Sequence, residues 1–241
     1  MSISNTEEIK CSCGETFEAE LLSAISVFDN PELKESMLCG EINIVQCPHC
    51  EAIFYAERFV LYHDSQDELL AFVYPLKFQE QAALYRVQML QQFNSSLNSL
   101  EDKEQVCYEP LLIFGIEDLT SLIKAEQDLK DEEKILKYAS KELKLNTFSI
   151  SRALSRKLSI PRIIPIAPHY CGQVLQSSDL CVQDRQSPYY SGKNILEALK
   201  TLTAYNPNLS NYVQFISKAA KHNSILEEIL RHCKISNCNC V

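Results

Sequence analysis

Glycine is scarce in this sequence, with only five among 241 residues. Nucleotide-binding loops place several glycines within a few positions, because the backbone must come close to the phosphates. No such cluster occurs here, which excludes the usual phosphate-binding motifs. Long apolar runs are also lacking, and the existing ones are far too short to span a bilayer. A membrane-spanning protein is therefore not expected.

The amino terminus lacks the features of a secretory signal. Residues 1–10 are polar and acidic, without an apolar stretch or a cleavage site of small residues. We therefore expect a cytoplasmic protein, a setting in which disulfides are rare. The eleven cysteines are then better explained as metal ligands or free thiols.

Positive charge is nearly missing from the first third of the chain. Residues 1–75 contain 14 acidic residues against Lys10, Lys34 and Arg58, a net charge of −11. Residues 76–241 contain 18 acidic and 20 basic residues, a net charge of +2. Because proteins that bind nucleic acids use Lys and Arg to displace counterions from the phosphates, the charge of the first third disfavours nucleic-acid binding.

Two cysteine pairs are distinguished by their spacing, Cys11 with Cys13 and Cys47 with Cys50. Gly14 follows the first pair, and the second pair forms a Cys-Pro-His-Cys motif. Tight turns of this kind aim two sulfurs at one point, and zinc prefers four soft ligands in a tetrahedron. The spacing predicts one structural Zn²⁺ bound by all four cysteines. The alternative is that they are buried, unliganded thiols, which the paired spacing makes less favourable.

Each cysteine pair is followed by a strand pattern. Residues 16–21 alternate between apolar and polar side chains, and residues 52–60 are rich in strand formers. Between the pairs, Asn30, Pro31 and Gly40 bracket a short helix over residues 31–38. These patterns predict a zinc-ribbon-like β module with a short helical insertion.

These motifs resemble the CpXC family, bacterial and archaeal proteins named for two Cys-Pro-x-Cys motifs. The likeness includes residues 17–20 (Phe-Glu-Ala-Glu), 30–34 (Asn-Pro-Glu-Leu-Lys), 61–64 (Leu-Tyr-His-Asp) and 111–114 (Leu-Leu-Ile-Phe), and it covers roughly residues 9–125. The first motif departs from the family pattern, with Cys11 in place of the proline and Lys10 in place of the first cysteine. The resemblance implies a metal site and no established activity.

His49 and Cys39 are the substitute ligands if Cys11 does not reach the metal. Four thiolates would close the coordination shell. A closed shell favours a structural metal over a catalytic one, which keeps an open position.

The middle of the chain contains one ambiguous and one clear segment. Over residues 85–90 the side chains alternate as in a strand, although Leu84, Val87 and Leu90 could share a helical face. The family resemblance favours the strand. A long helix is predicted over residues 116–143 from four leucines seven residues apart: Leu122, Leu129, Leu136 and Leu143.

This long helix has polar residues at the partnering positions Glu126, Glu133 and Ser140. A helix packed on its own domain is therefore favoured over a coiled-coil dimer. The sequence does not decide between a monomer and a homodimer.

No acidic residue occurs between Leu143 and Ser178, which leaves a basic stretch over residues 144–162. Its bases are Lys144, Arg152, Arg156, Lys157 and Arg162. A short helix over 152–158, capped by Ser149 or Ser151, and an extended segment over 162–168 are predicted. Few aromatic residues accompany these bases, so nucleic-acid binding through this stretch is kept only as the alternative function.

The tail from Asn194 to Cys233 predicts two or three helices. A second metal could be bound by residues of the carboxy-terminal half: Cys171, Cys181, Cys233, Cys238 and Cys240, with His232. The preferred interpretation is that these cysteines are free thiols near a chain end and bind no metal.

Two groups of residues could suggest catalysis: His63 with Asp64, and His169 with Cys171 and Cys181. Neither spacing is diagnostic of a catalytic site.

The sequence as a whole predicts an α+β protein. Residues 1–125 form a CpXC-like domain with a zinc ribbon at 9–75, and residues 126–241 form a mainly α-helical domain. The expected function is that of a zinc-binding cytoplasmic protein that engages another protein, with no catalytic residue and no membrane partner.

Overall fold

The computed structural model describes residues 1–99, 106, 108–158, 162–166 and 192–209. The chain forms two compact units, Met1–Gln127 and Asp128–Val241. The first unit contains β1 (Ile3–Lys10), β2 (Thr16–Ser26), α1 (Glu32–Cys39), β3 (Ile44–Gln46), β4 (Ile53–Tyr55), β5 (Val60–Asp64), β6 (Leu69–Tyr74), a 3-10 helix (Leu76–Gln81), α2 (Ala82–Ser99) and β7 (Leu111–Phe114). A long helix, α3 (Ile116–Glu142), begins in the first unit and ends in the second.

Five strands of the first unit form one sheet in the order β1-β2-β5-β6-β7. β1 and β2 form an antiparallel hairpin, and so do β5 and β6, whereas β2 pairs with β5 and β6 with β7 in parallel. Only residues 24–26 of β2 pair with β5. The first part of β2 therefore extends past β5 as part of the β1–β2 hairpin.

The centre of the sheet is covered on both faces. Every residue of β6, Leu69–Tyr74, is buried. One face packs against α1 and α3, which contribute Met37 and Ile123, and the other packs against α2 through Met89. A strand buried on both faces explains why this segment is a continuous apolar run.

The predicted short helix of the insertion is confirmed as α1. Gly40 ends it with a φ of 76°, a left-handed conformation that glycine adopts without a steric penalty. The Gly40 amide donates to the carbonyl of Met37 (3.0 Å). The α+β class is confirmed by the sheet and these helices together.

The predicted strand over residues 85–90 is wrong, because this segment lies inside α2. Tyr85, Met89 and Phe93 recur every four residues and pack against the sheet. The apolar pattern of this short segment fits both the two-residue period of a strand and the 3.6-residue period of a helix. The helix forms because the second face of the sheet requires a cover, which is not visible in the local pattern.

The predicted strand over residues 52–60 is interrupted. β4 ends at Tyr55, and β5 begins at Val60. β4 pairs antiparallel with β3 in a separate two-stranded sheet, so the intervening residues 56–59 connect two different sheets.

The long predicted helix is confirmed as α3. In the first unit, Leu119 and Ile123 join the core. Further along, the polar positions Glu126, Glu133 and Ser140 are buried. The heptad face of α3 is thus largely covered within the chain itself.

The described part of the second unit contains β8 (Asn146–Ser149), α4 (Arg152–Leu158), β9 (Ile163–Ile166) and α5 (Gly192–Tyr205). β8 and β9 form an antiparallel pair, which the mainly helical prediction did not include. α4 matches the predicted helix, and Ser151 Oγ accepts the Leu154 amide at 3.1 Å as its cap. Among the helices that the structure describes, none combines the length and the hydropathy needed to cross a membrane.

A buried ion cluster fixes α1 to the β5–β6 turn. Lys34 Nζ lies 2.6 Å from Asp64 Oδ2 and 2.8 Å from Asp67 Oδ2. Both aspartates are buried. Burial lowers the pKa of Lys34, but the two carboxylates outweigh that effect and raise the pKa overall. The helical insertion is therefore held by charge as well as by apolar packing.

We expect Lys34→Met to lower the free energy of unfolding by about 3 kcal/mol, because it leaves two buried carboxylates without their cation. Adding Asp64→Asn and Asp67→Asn should restore part of this loss, since neutral amides cost less to bury. Denaturant titration measures both effects, and Lys10→Met, at an exposed position, is the matched control. A loss below about 1 kcal/mol, the level of a surface ion pair, would contradict the role of Lys34.

Candidate metal centre

The first cysteine turn, residues 11–15, connects β1 to β2. The Cys11 amide donates to the Glu15 carbonyl (2.8 Å), and the Gly14 amide donates to the Cys11 carbonyl (3.0 Å). Gly14 has a φ of 97°, which strains any residue with a side chain. The turn thus holds Cys11 and Cys13 at one end of the hairpin.

The second cysteine turn, residues 47–52, connects β3 to β4 and repeats these bonds with one more residue in the loop. The Cys47 amide donates to the Ala52 carbonyl (2.9 Å), and the Glu51 amide donates to the Cys47 carbonyl (3.0 Å). Glu51, with a φ of 60°, takes the place of Gly14. The Cys-x-Cys motif of the first turn is therefore a Cys-x-x-Cys turn shortened by one residue. This shortening explains how Cys11 reaches the same place despite the altered motif.

The sulfurs of both turns meet at one point. Cys11 Sγ lies 3.6 Å from Cys50 Sγ, and Cys13 Sγ lies 3.7 Å from Cys47 Sγ. All four Sγ atoms lie within 4.8 Å of one another. Sulfurs around a tetrahedral zinc, at about 2.3 Å from the ion, are about 3.8 Å apart, whereas disulfide sulfurs are about 2.05 Å apart. The four free thiols are therefore spaced as ligands of a single metal ion.

Each turn contributes one buried and one exposed cysteine. Cys11 and Cys47 are buried, whereas Cys13 and Cys50 are exposed. The closest sulfur contacts pair the buried cysteine of one turn with the exposed cysteine of the other. A metal bound here would be anchored in the protein and reachable from solvent on one side.

The electrostatics of the cluster oppose the ionisation of several thiols at once. The backbone amide of Cys13 and then the neighbouring thiols lower the pKa of Cys11 to about 6, against the effect of desolvation. The backbone amide of Glu15 lowers the pKa of Cys13, but the Cys11 sulfur, desolvation and the other thiols outweigh it and raise the pKa to about 12. Ionisation of the Cys11 thiol is therefore favoured, and ionisation of a second thiol beside it is not. A divalent cation would remove this repulsion.

A small apolar core holds the two hairpins together behind the sulfurs. It joins Ile9 and Leu21 of the first hairpin to Val45 of the second. The rings of Phe17 and Phe54 meet edge to face across the same junction, with centroids 6.5 Å apart. The sulfur cluster therefore rests on packed side chains from both hairpins.

Asn43 connects the second hairpin to β2. Its Oδ1 accepts the Leu22 amide (2.8 Å), and its Nδ2 donates to the Leu22 carbonyl (3.0 Å). Pairing of β2 with β5 starts only at Ala24, so the Asn43 side chain satisfies backbone groups that β5 does not reach. Asn43 has a φ of 54°, which asparagine tolerates better than most residues.

Arg58 connects the segment after β4 to β1. Its Nε donates to the Glu7 carboxylate (2.6 Å), and its guanidinium also donates to the Glu8 carbonyl (3.2 Å). Neither Asn43 nor Arg58 was predicted from the sequence to support the site. Arg58 could have been noticed because it is one of only three bases in residues 1–75. Asn43 could not, since an asparagine before a strand is a common turn residue.

The two predicted substitute ligands do not belong to the sulfur cluster. His49 is exposed in the second turn. Cys39 is exposed at the end of α1, where it lines a groove of about 410 Å³ together with Tyr55 and Thr120. In the part of the chain that the structure describes, the four cysteines form the one cluster with metal-ligand spacing.

The candidate catalytic residues are not assembled into a pair. His63 and Asp64 are successive residues of β5 and point to opposite faces of the sheet. His63 Nε2 lies 2.7 Å from the Tyr108 hydroxyl, and burial lowers the pKa of His63, while Asp64 binds Lys34. The other candidates lie outside the described residues: His169, Cys171, Cys181, His232, Cys233, Cys238 and Cys240.

The basic stretch 144–162 is partly used for packing inside the second unit. Arg152 is buried, with its guanidinium 3.3 Å from the Glu133 carboxylate. Arg162 Nε donates to the Ile150 carbonyl (2.9 Å). Arg156 and Lys157 also have interactions within the protein, so at least four of the five bases are engaged by the chain itself.

We expect Asn43→Ala to lower the free energy of unfolding by about 2 kcal/mol, because two backbone groups of Leu22 lose their partners and alanine is strained at positive φ. Asn43→Gly is the matched variant, since it removes the same bonds but accepts the backbone conformation, and its loss should be smaller. Hydrogen exchange at the Leu22 amide should accelerate in both variants. Unchanged exchange at Leu22 would show that Asn43 does not clamp β2.

Comparison with known proteins supports the resemblance seen in the sequence. A protein-family model described as CpXC protein matches residues 9–146. The match spans both cysteine turns and extends through α3. No curated protein matches the chain, and no solved structure does. Because the matched segment covers more than half of the 241 residues, the chain belongs to the CpXC family.

Proposed function

We propose that this chain is a zinc-stabilised protein-interaction module, in which Cys11, Cys13, Cys47 and Cys50 bind one structural Zn²⁺. The observation that carries the proposal is the convergence of four thiols, from two separate turns, to within 4.8 Å of one another. The ion would fix the relative position of the two hairpins. The first unit would then present a defined surface to another protein.

The chemistry of the ligands favours zinc. Thiolates select soft or borderline ions such as Zn²⁺ and Cu(I), or iron, over Mg²⁺ and Ca²⁺. Zinc accepts a tetrahedral shell of four thiolates without any electronic preference for another geometry. Such ligands persist where thiols stay reduced, so a cytoplasmic setting is part of the proposal.

A structural role fits the ligand set better than a catalytic one. Catalytic zinc keeps a position for water or substrate, with a general base nearby. Four cysteines fill the tetrahedral shell, and His63, on β5, is engaged with Tyr108. The metal would therefore organise the protein and take no part in turnover.

Charge and exposure support a protein partner. Residues 1–75 carry a net charge of −11, and four thiolates with one Zn²⁺ would add about −2. Phe28 and Ile53, in the same segment, are 75% and 69% exposed. An acidic surface with exposed apolar side chains fits a basic protein surface and repels phosphate backbones. The nucleic-acid alternative is weakened further because Arg152 and Arg162 are used internally.

Replacement of one ligand should remove one zinc ion. We expect Cys50→Ser to lower the zinc content of the purified chain by one ion per molecule, whatever the other cysteines bind, because three thiolates hold zinc much less tightly. Cys39→Ser is the matched control, since it removes an exposed thiol outside the cluster. Elemental analysis under reducing conditions measures the content. Equal zinc in both variants would refute the site, and iron in its place would refute the choice of metal.

Removal of the metal should loosen the cysteine turns before the main sheet. On chelation we expect faster hydrogen exchange in residues 9–21 and 44–56, because repulsion between the thiols returns. Exchange in β5 and β6 should change little, since these strands are packed on both faces. Host proteins captured by the zinc-loaded chain should be released at the same time. Unchanged exchange at the turns would contradict a structural metal, and capture that survives chelation would contradict the link between metal and partner.

A further inference from the structure

α2 presents an apolar stripe that the described part of the chain does not cover. Tyr85 and Met89 on its inner side pack against the sheet. Leu84, Val87 and Leu90 on its outer side are 52%, 53% and 43% exposed. Residues three apart lie on one face of a helix. Three large side chains exposed in a row are typical of a contact surface and not of a solvated helix face.

The stripe is also nearly free of charge, in contrast to the unit that carries it. Arg86 is the only charged residue between Ala82 and Ser99. The first unit, Met1–Gln127, contains 22 acidic and 7 basic residues, a net charge of −15. Two copies of this unit would repel each other over an average face. At α2 they can approach without that cost.

The arrangement of the stripe is the same in both directions along the helix. Leu84 and Leu90 each lie three residues from Val87, and the neighbours of Val87 are Arg86 and Gln88. With Val87 on a twofold axis, an antiparallel second copy would set Leu84 of one helix against Leu90 of the other. Arg86 would face Gln88, so no like charges would meet. An isologous interface requires a patch that complements itself in this way.

We propose that α2 is a homodimer interface, formed by antiparallel packing of the Leu84–Val87–Leu90 stripes of two copies. This surface is separate from the heptad face of α3, where Glu126, Glu133 and Ser140 are buried within the chain. One helix pair covers less than the roughly 800 Å² per partner of a standard interface. The dimer is therefore weak and dependent on concentration, and it does not require the metal.

Analytical ultracentrifugation of the zinc-loaded full chain tests the proposal. The mass should rise from 27.5 kDa toward twice that value with increasing concentration, over a range of about 5 to about 500 µM that suits small interfaces. Val87→Glu and Val87→Lys should each weaken the dimer at least about tenfold, because two like charges would meet on the axis. Circular dichroism and denaturant titration verify that each variant is folded.

The two variants provide a rescue that a folding defect cannot imitate. An equal mixture of Val87→Glu and Val87→Lys should associate again, because opposite charges then meet at the axis. Phe28→Glu, which places a charge at another exposed apolar position, is the matched control and should leave the dimer unchanged. A wild-type chain that stays monomeric would overturn the proposal, and so would a mixture that does not associate. Protection of α2 in a monomer would assign the stripe to the chain's own remaining residues instead.

Discussion

The convergence of four thiols from two hairpins is the constraint around which the amino-terminal unit is built. The closest sulfur pairs join residues that are 34 and 39 positions apart in the chain. The convergence of these sulfurs fixes the position of the second hairpin, β3–β4, relative to the cysteine end of the first hairpin, β1–β2. The apolar junction of Phe17 and Phe54 and the Asn43 clamp on Leu22 support the same arrangement. The site is thus prepared by packing and hydrogen bonds, and a metal would complete it.

Local signals carried most of what could be predicted from the sequence. Cysteine spacing identifies all four members of the sulfur cluster, because each pair lies within one short turn and needs no distant information. α1, α3 and α4 were predicted close to their observed bounds, since their caps and apolar periods are local as well. The strand Tyr85–Leu90 was wrongly predicted because its helical conformation depends on the sheet face that it covers.

Contacts between distant segments account for what the sequence did not reveal. Asn43 matters because β5 stops short of Leu22, and nothing near Asn43 in the sequence records that fact. Arg58 matters because the chain after β4 passes beside β1. The pairing of β8 with β9 in the second unit was missed for the same reason, since neither short strand is distinctive without its partner.

The length of β2 has a mechanical consequence. This strand has eleven residues, and at about 3.3 Å per residue it is about 35 Å long. One end borders the sulfurs, and the other end is part of the doubly covered sheet. Distortion at the cysteine end reaches the buried end along the β1–β2 hairpin and through residues 56–59, which join β4 to β5. Asn43 holds β2 by two hydrogen bonds part of the way along. Because the cysteine end lies away from the strands that are buried on both faces, a local change in the cysteine turns can be absorbed there before it reaches the main sheet.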